Sequence, residues 1–342
     1  MKKYKICKIL LVILAIFLCV AFYELLGICV AYKKQPEVSN TTKKETKNGS
    51  WNECSENTER AVIIEKNPEA LLQRVRLIKN AKKEIILSTF AFQSDESGKL
   101  ILGALHDAAD RGVHIRLLVD GMESWIDMEG NPYFYGLSSH ENVEIKLYNK
   151  ANPLKPWKMM GRMHDKYLIA DGKRYILGGR NTYNYFLGDF PGHKNYDRDV
   201  LVVCDEPEKE NSVNQLLEYF ETIWEQEDSG YFHDNKKLAN RKSVKNAVLE
   251  LQNGYQKYFE ENKERICDTD YTDETFETEK IALVSNPIHT GSKEPVVWYQ
   301  LGELMKNAKN RVKIHTPYII CNDMMYNTWA EIAENVSDFS IM

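Results

Sequence analysis

Between Arg162 and Asn181 the chain reads RMHDKYLIADGKRYILGGRN. Three side chains there could do chemistry together: the imidazole of His164, the ammonium of Lys166 and the carboxylate of Asp171. Gly178 and Gly179 follow, and then Asn181. Side chains two apart on a strand point to one face, so His164 and Lys166 share a side. An imidazole beside an ammonium suits a phosphate. The charge binds the oxygens, and the ring attacks phosphorus or moves a proton. The glycines admit close backbone approach, and the Asn181 amide adds a neutral donor. A core histidine satisfied by packing would not need these companions in register. No Gly-rich phosphate loop accompanies the set, and no carboxylate cluster suggests magnesium.

The elements that must position these residues follow from hydrophobic periodicity. Glu84–Phe92 (EIILSTFAF) reads as a buried strand and Gly98–Asp110 as a helix stopped by Gly112. Val113–Val119 and Val143–Tyr148 are further strands. Lys166–Ala170 and Arg174–Leu177 are short strands joined by the turn Asp171-Gly172-Lys173. Val200–Cys204 reads as a strand and Glu206–Glu225 as a helix. Arg241–Arg265 reads as a polar helical connector. Strands interleaved with helices predict a layered α/β domain.

An internal repeat extends this pattern. Leu77–Thr89 (LIKNAKKEIILST) matches Leu304–Thr316 (LMKNAKNRVKIHT) at six of 13 positions, with an offset of 227. A strand to Ile319 and a helix near Asn327–Asn335 continue it. Two copies of one helix–strand unit predict a duplicated domain.

Ahead of this body, Ile9–Tyr32 is 24 residues with one charge, Glu24, which is long enough to cross a hydrocarbon core about 30 Å thick. No good small-x-small cleavage site follows it, so residues 9–32 read as a transmembrane anchor. The cluster Lys2, Lys3, Lys5 and Lys8 predicts an N-terminus inside and the bulk of the chain outside the cytoplasm of a cell membrane. Residues 33–60, rich in Lys, Asn, Ser and Thr, read as a flexible tether. The remaining divisions are a first α/β domain at 61–235, a helical connector at 236–278 and a second unit at 279–342. With 43% hydrophobic and 28% charged residues, the chain is neither disordered, collagen-like nor a disulfide miniprotein. A net charge of −5 argues against a dedicated nucleic-acid binder. Seven cysteines without a CxxC pair signal neither a zinc ribbon nor a thioredoxin-type site.

His-x-Lys-x4-Asp followed by Gly-Gly-x-Asn resembles the signature of the phospholipase D superfamily. The longer run RMHDKYLIADG, LGGRN and Asp197-Arg198-Asp199-Val200 looks most like bacterial cardiolipin synthases of the C type. The resemblance covers roughly residues 61 to 342. It implies a phospholipase D-like layered α/β domain with a truncated second repeat. It further implies phosphatidyl transfer through a covalent phosphohistidine, with no metal and no cofactor. By the same resemblance His164, Lys166 and Asp171 form the catalytic motif. Lys166, Gly179 and Asn181 hold the phosphate, and Asp199 orients the imidazole of His164. The partners it implies are phospholipid substrates and the membrane, with no nucleic acid.

The family uses two such motifs facing one phosphate. At the repeat offset, the second histidine is expected near residue 391, beyond Met342. His315 and His289 lack the following Lys and Asp at motif spacing. One half-site is expected to be slow, because the leaving oxygen lacks a proton donor. Two chains meeting about a two-fold axis would bring two copies of His164 together. Two other readings stand beside the transferase: a hydrolase of the same superfamily, phospholipase or nuclease, and a catalytically silent membrane protein. Asn152–Met160 (NPLKPWKMM) reads either as a lip that meets lipid or as a loop with a packed Trp157. His193 and Lys194 either border the pocket or lie in a solvated loop.

Overall fold

Apolar residues at alternate positions dictate how the central strands are buried. In Glu84–Thr89 (β2), Ile85 and Leu87 face one core and Ile86 the other. In Lys166–Ala170 (β5), Leu168 and Ala170 face the first core, while Tyr167 and Ile169 face the second. A strand this apolar on both faces must be covered on both. The computed structural model describes residues 2–49, 59–204, 206, 210–233, 235–316 and 318–342.

The chain starts with two helices, Lys2–Ala31 (α1) and Asn40–Asn48 (α2). Then come strand Glu59–Ile64 (β1), helix Asn67–Asn80 (α3), β2, helix Glu96–Asp110 (α4) and strand His114–Asp120 (β3). Two short helices, Glu123–Asp127 (α5) and Pro132–Ser138 (α6), precede strand Val143–Tyr148 (β4). After β5 come strands Arg174–Gly178 (β6) and Asp199–Cys204 (β7), helix Ser212–Trp224 (α7) and strand Ser229–Tyr231 (β8). Helices Lys242–Glu261 (α8) and Lys263–Cys267 (α9) lead to the short strand Phe276–Glu277 (β9). The last elements are helix Val296–Lys306 (α10), strand Arg311–Ile314 (β10), helix Asp323–Asn335 (α11) and strand Asp338–Ile341 (β11).

Nine strands form one mixed sheet in the order β8-β4-β3-β2-β5-β6-β7-β1-β9. β2, β3 and β4 run parallel, and the other pairings are antiparallel. Residues of α3, α4, α6 and α8 share the larger core, and α7 covers the other face. This is the expected layered α/β architecture. The repeat is also real in three dimensions. β10 and β11 pair in parallel, as β2 and β3 do, and the order α10-β10-α11-β11 repeats α3-β2-α4-β3.

Five readings need correction. β2 stops at Thr89 rather than Phe92, and β10 stops at Ile314 rather than continuing to Ile319. α7 starts at Ser212 rather than Glu206, because the Asn211 side chain accepts the Asn214 N–H and caps it. The segment 236–278 is not merely a connector. Val244, Ala247, Leu251, Tyr255 and Phe259 recur at helical spacing and bury one face of α8 against α4 and α6. The stretch 33–60 is not wholly a tether either. Ser39 caps α2 by accepting the Thr42 N–H, and Gly49 closes the helix at φ +75°. Glu294 accepts the Ser39 N–H at 2.8 Å and the Thr42 hydroxyl at 2.7 Å, so α2 is held to the second unit. Residues 50–58 of that stretch lie outside the described residues.

Among the described residues, α1 is the one helix long and apolar enough to cross a membrane. Its last turns are docked. Tyr23 donates to the Leu154 carbonyl at 3.0 Å and Tyr32 to the Thr290 carbonyl at 2.5 Å. The Ser292 hydroxyl donates to the Ala31 carbonyl at 3.0 Å.

Candidate active site

One end of the sheet gathers the signature. Lys166, the first residue of β5, pairs with Thr89, the last of β2. Gly178, the last residue of β6, pairs with Asp199, the first of β7. Whatever precedes β5 or follows β2 and β6 therefore meets at a common edge. Those residues are His164, Phe90 and the run Gly179–Asn181.

The His164 ring lies against Phe90 with centroids 4.7 Å apart. It remains exposed at the cleft. The Lys166 Nζ donates to the His164 carbonyl at 2.6 Å and sits 5.4 Å from the Phe90 ring centre. Burial pushes the Lys166 ammonium down to about 8. The imidazole of His164 is also held below its usual value, first by burial and then by the neighbouring Lys166 charge. A neutral ring beside a desolvated cation is matched to attack on a phosphate. The Asn181 Oδ1 accepts the Ala91 N–H at 3.1 Å, which leaves the amide NH₂ as the side chain's donor group.

Two backbone positions at this edge have no room for a side chain. A Cβ on Gly178 would collide with Asp199, and one on Gly179 with Asp197. Both carboxylates thus lie across the glycine run.

The structure places two of the candidate residues elsewhere in the machinery. Asp171 is not at the catalytic edge. It sits at the opposite end of β5, about 16 Å along the strand from Lys166 at 3.3 Å per residue. It occupies the β5–β6 turn at φ +54° and accepts the N–H groups of Lys82, Lys83 and Glu84 at 2.7–3.1 Å. The residue tolerates this left-handed conformation as Asp often does, and its role is to fasten the start of β2. Asp199, expected to orient the imidazole, is bound instead to Arg74 at 2.9 Å and Arg180 at 3.2 Å, with all three side chains buried. No hydrogen bond joins it to His164 among the described residues. A buried carboxylate requires such partners; both ion pairs use its Oδ2, and its Oδ1 is buried with no hydrogen-bond partner among the described residues.

His164 and Lys166 line a cleft of about 380 Å³ with residues the spacing did not reveal. Lys293 enters from the segment before α10, and its Nζ donates to the Arg162 carbonyl at 3.3 Å. Burial lowers its pKa. Asp165 accepts the Tyr219 hydroxyl at 2.7 Å, and burial raises its pKa. Asp165 lies inside the motif and was visible. Lys293 is 129 residues from His164, and no local signal points to it. His193 and Lys194 do not line the cleft: the His193 ring packs 5.4 Å from Tyr185, and the Lys194 Nζ donates to the Asn184 carbonyl. Among the described residues, no group of three or more His, Cys, Asp or Glu is placed to hold a metal ion.

Comparison with known proteins gives the following likenesses. Residues 74–224 match the family described as cardiolipin synthase, phospholipase D-like domain. Cardiolipin synthase C of Escherichia coli is 29% identical over 171 residues, covering 46% of this chain and 34% of its own length. An uncharacterized Helicobacter pylori protein is 29% identical over 288 residues, covering 76% of this chain and 54% of its own. The crystal structure of phosphatidylserine synthase from Haemophilus influenzae superposes with a TM-score of 0.54 over 87% of this chain and 65% of that one, at 17% identity. At that identity the likeness speaks for the fold alone. Over residues 74–224 the chain is thus similar to phospholipase D-like domains of the cardiolipin synthase kind. It spans between 34% and 54% of the length of the two curated relatives named.

Proposed function

We propose that the chain is a membrane-anchored phosphatidyltransferase acting on phosphatidylglycerol through a phosphohistidine. The observation that carries this reading is the pairing of an exposed, neutral-leaning His164 with the desolvated Lys166 at one sheet edge. A ring nitrogen of His164 attacks the phosphodiester phosphorus. A P–N bond forms, the P–O bond to glycerol breaks, and the glycerol oxygen takes up a proton. The headgroup hydroxyl of a second phospholipid then attacks phosphorus, loses its proton, and releases the free imidazole. Lys166 and the Asn181 amide hold the phosphate oxygens as charge gathers on them, and Lys293 adds a second cation from across the cleft. The proton donor for the leaving oxygen would be a second histidine facing the same phosphate. General acid help is worth about 10²–10⁴-fold in rate. A second chain, related by a two-fold axis, would supply it through its own His164.

The test is to reconstitute the chain in vesicles of labelled phosphatidylglycerol and to follow both lipid product and acid-quenched phosphohistidine across protein concentration. Transfer that rises with dimer fraction and disappears with His164→Ala supports the reading. Label released only to water would assign hydrolysis instead. An unchanged rate in the His164→Ala variant would sink the mechanism.

A further inference from the structure

An exposed apolar surface of the molecule can be traced outward from α1. Its half-buried residues near the C-terminus are Ala21, Glu24, Gly27, Ile28 and Ala31, which recur every three or four positions. They form one stripe along the helix, and that stripe is the docking face. Gly27 lies so close to Pro156 that a Cβ there would overlap the proline ring. The Tyr23 hydroxyl reaches the Leu154 carbonyl. The helix therefore rests directly on the loop that carries the single helical turn Pro156–Lys158.

That loop and the neighbouring α5 expose six large apolar side chains: Leu154 77%, Ile126 75%, Trp125 67%, Met160 59%, Trp157 45% and Met122 40%. Scattered single residues of this kind are ordinary. These are not scattered. Met122, Trp125 and Ile126 stand at i, i+3 and i+4, on one face of their helical segment. Met122 shares a cavity of about 190 Å³ with Lys155, Met159 and Arg162, so the two patches rim one hollow. Arg162 also lines the cleft that holds His164.

We propose that this rim is seated in the interfacial layer of a phospholipid bilayer and presents the His164 cleft to the headgroups. The inference rests on the reading of α1 as an anchor. A span beginning at Ile9 crosses about 30 Å in 20 residues and ends near Ile28. Tyr23 and Gly27 then lie in the last turns of the span, and Leu154 and Pro156, which touch them, lie at the hydrocarbon boundary. Trp125 and Trp157 are the residue type that settles at that depth, and the exposed Lys155 would extend its ammonium to lipid phosphates. The occupant is lipid rather than protein because the rim continues the uncovered apolar surface of α1, which needs an apolar solvent of its own.

Photo-crosslinking of the full chain in vesicles of phosphatidylglycerol and phosphatidylcholine tests this. p-Benzoylphenylalanine would replace Ile126, Trp157, Phe17 in mid-anchor, or Phe276, an exposed residue of β9. Lipid adducts are then counted by mass spectrometry. The expected result is strong adducts at 17, 126 and 157, at least about ten-fold above 276. Adducts at 17 without adducts at 126 and 157 would overturn the rim and leave the anchor standing. Protein–protein adducts at 126 and 157 in place of lipid would overturn it in favour of a protein partner. Equal labelling at 276 would reduce the signal to random collision and overturn it too. An absence of adducts at 17 would remove the anchor, and the rim with it.

Discussion

The two copies of the helix–strand repeat share six of 13 residues and have different surroundings. β2 is flanked by β3 and β5 and is buried at every position after Glu84. Among the described residues β10 pairs with β11 alone, and of its four residues only Val312 is buried. The second copy has a core of three buried residues, Val312, Ile332 and Val336, whereas the first shares a sheet of nine strands between two cores. The same local signal thus makes the same local element in both places. The rest of the difference is tertiary. A strand sandwiched between two others and two helical layers loses its water, and a strand paired once does not. Burial goes with this setting: Lys166 is desolvated where it pairs with β2, and among the described residues none beside β10 has that setting.

The contrast breaks most sharply in activity. His164→Ala should lower phosphatidyl transfer by at least about 10⁴-fold, as loss of a nucleophile does, whereas His315→Ala, the residue that aligns with Ser88, should leave the rate nearly unchanged. His315 is bonded to Arg198 at 2.8 Å and lines a separate cavity. An initial-rate assay of both variants decides the matter, and a comparable loss from His315→Ala would put chemistry in the second copy.

Matched truncations in the two strands sharpen the same contrast. Leu87 and Ile314 occupy equivalent positions. Leu87→Ala should cost about 2–5 kcal/mol, the range for a fully buried leucine. Ile314→Ala should cost about 1 kcal/mol or less, as partly exposed positions do. Urea titrations would show equal losses only if β10 were as enclosed as β2.

The pH profile should reflect the first copy's burial. His164 must be neutral to attack, and its lowered pKa moves the acid limb below the ordinary imidazole value of about 6.5. Lys166 must stay protonated, so activity should fall as pH rises through about 8. Lys166→Arg carries a charge that persists to far higher pH. It should lower the maximum rate but remove the alkaline limb. An alkaline limb unchanged in that variant would assign it to another group.

Smallest of all is the Asp171 clamp. Asp171→Ala should lose about 1–2 kcal/mol of stability, because three backbone N–H groups lose their acceptor. The shape of the pH–rate profile should not move. Asp171→Asn, which keeps an acceptor oxygen and the left-handed turn, should restore part of the loss. A thermal melt alongside the rate assay separates this from a catalytic role.

What could be read from the chain alone follows from how far each cause reaches. β4 and β5 were legible to the residue because an apolar run between turn signals is a local property. His164, Lys166 and Asn181 were legible because side-chain type and spacing place them at one strand end. The role of Asp171 was not, since its type and position say nothing of the unpaired N–H groups at Lys82–Glu84 that it satisfies. The ion pairs of Asp199 were hidden for a similar reason: Arg74 and Arg180 both reach its Oδ2, and Arg74 lies 125 residues earlier. The buried stripe of α8 was hidden by the polar average of its sequence. Lys293 reaches the cleft only because the segment before α10 folds back over β5.

The seating of α1 has a consequence for how this helix can be exchanged. A helix that only needed to dissolve in lipid could be traded for any apolar sequence of equal length. This one is keyed to its own body by Gly27 against Pro156 and by the hydroxyls of Tyr23 and Tyr32. Inserting a single residue ahead of Ala21 would rotate everything before it by about 100° relative to that keyed segment. The keyed turns themselves would stay in place, so the tolerance for foreign sequence should change abruptly along the helix. Its first half should be interchangeable, and its last three turns should belong to this protein alone.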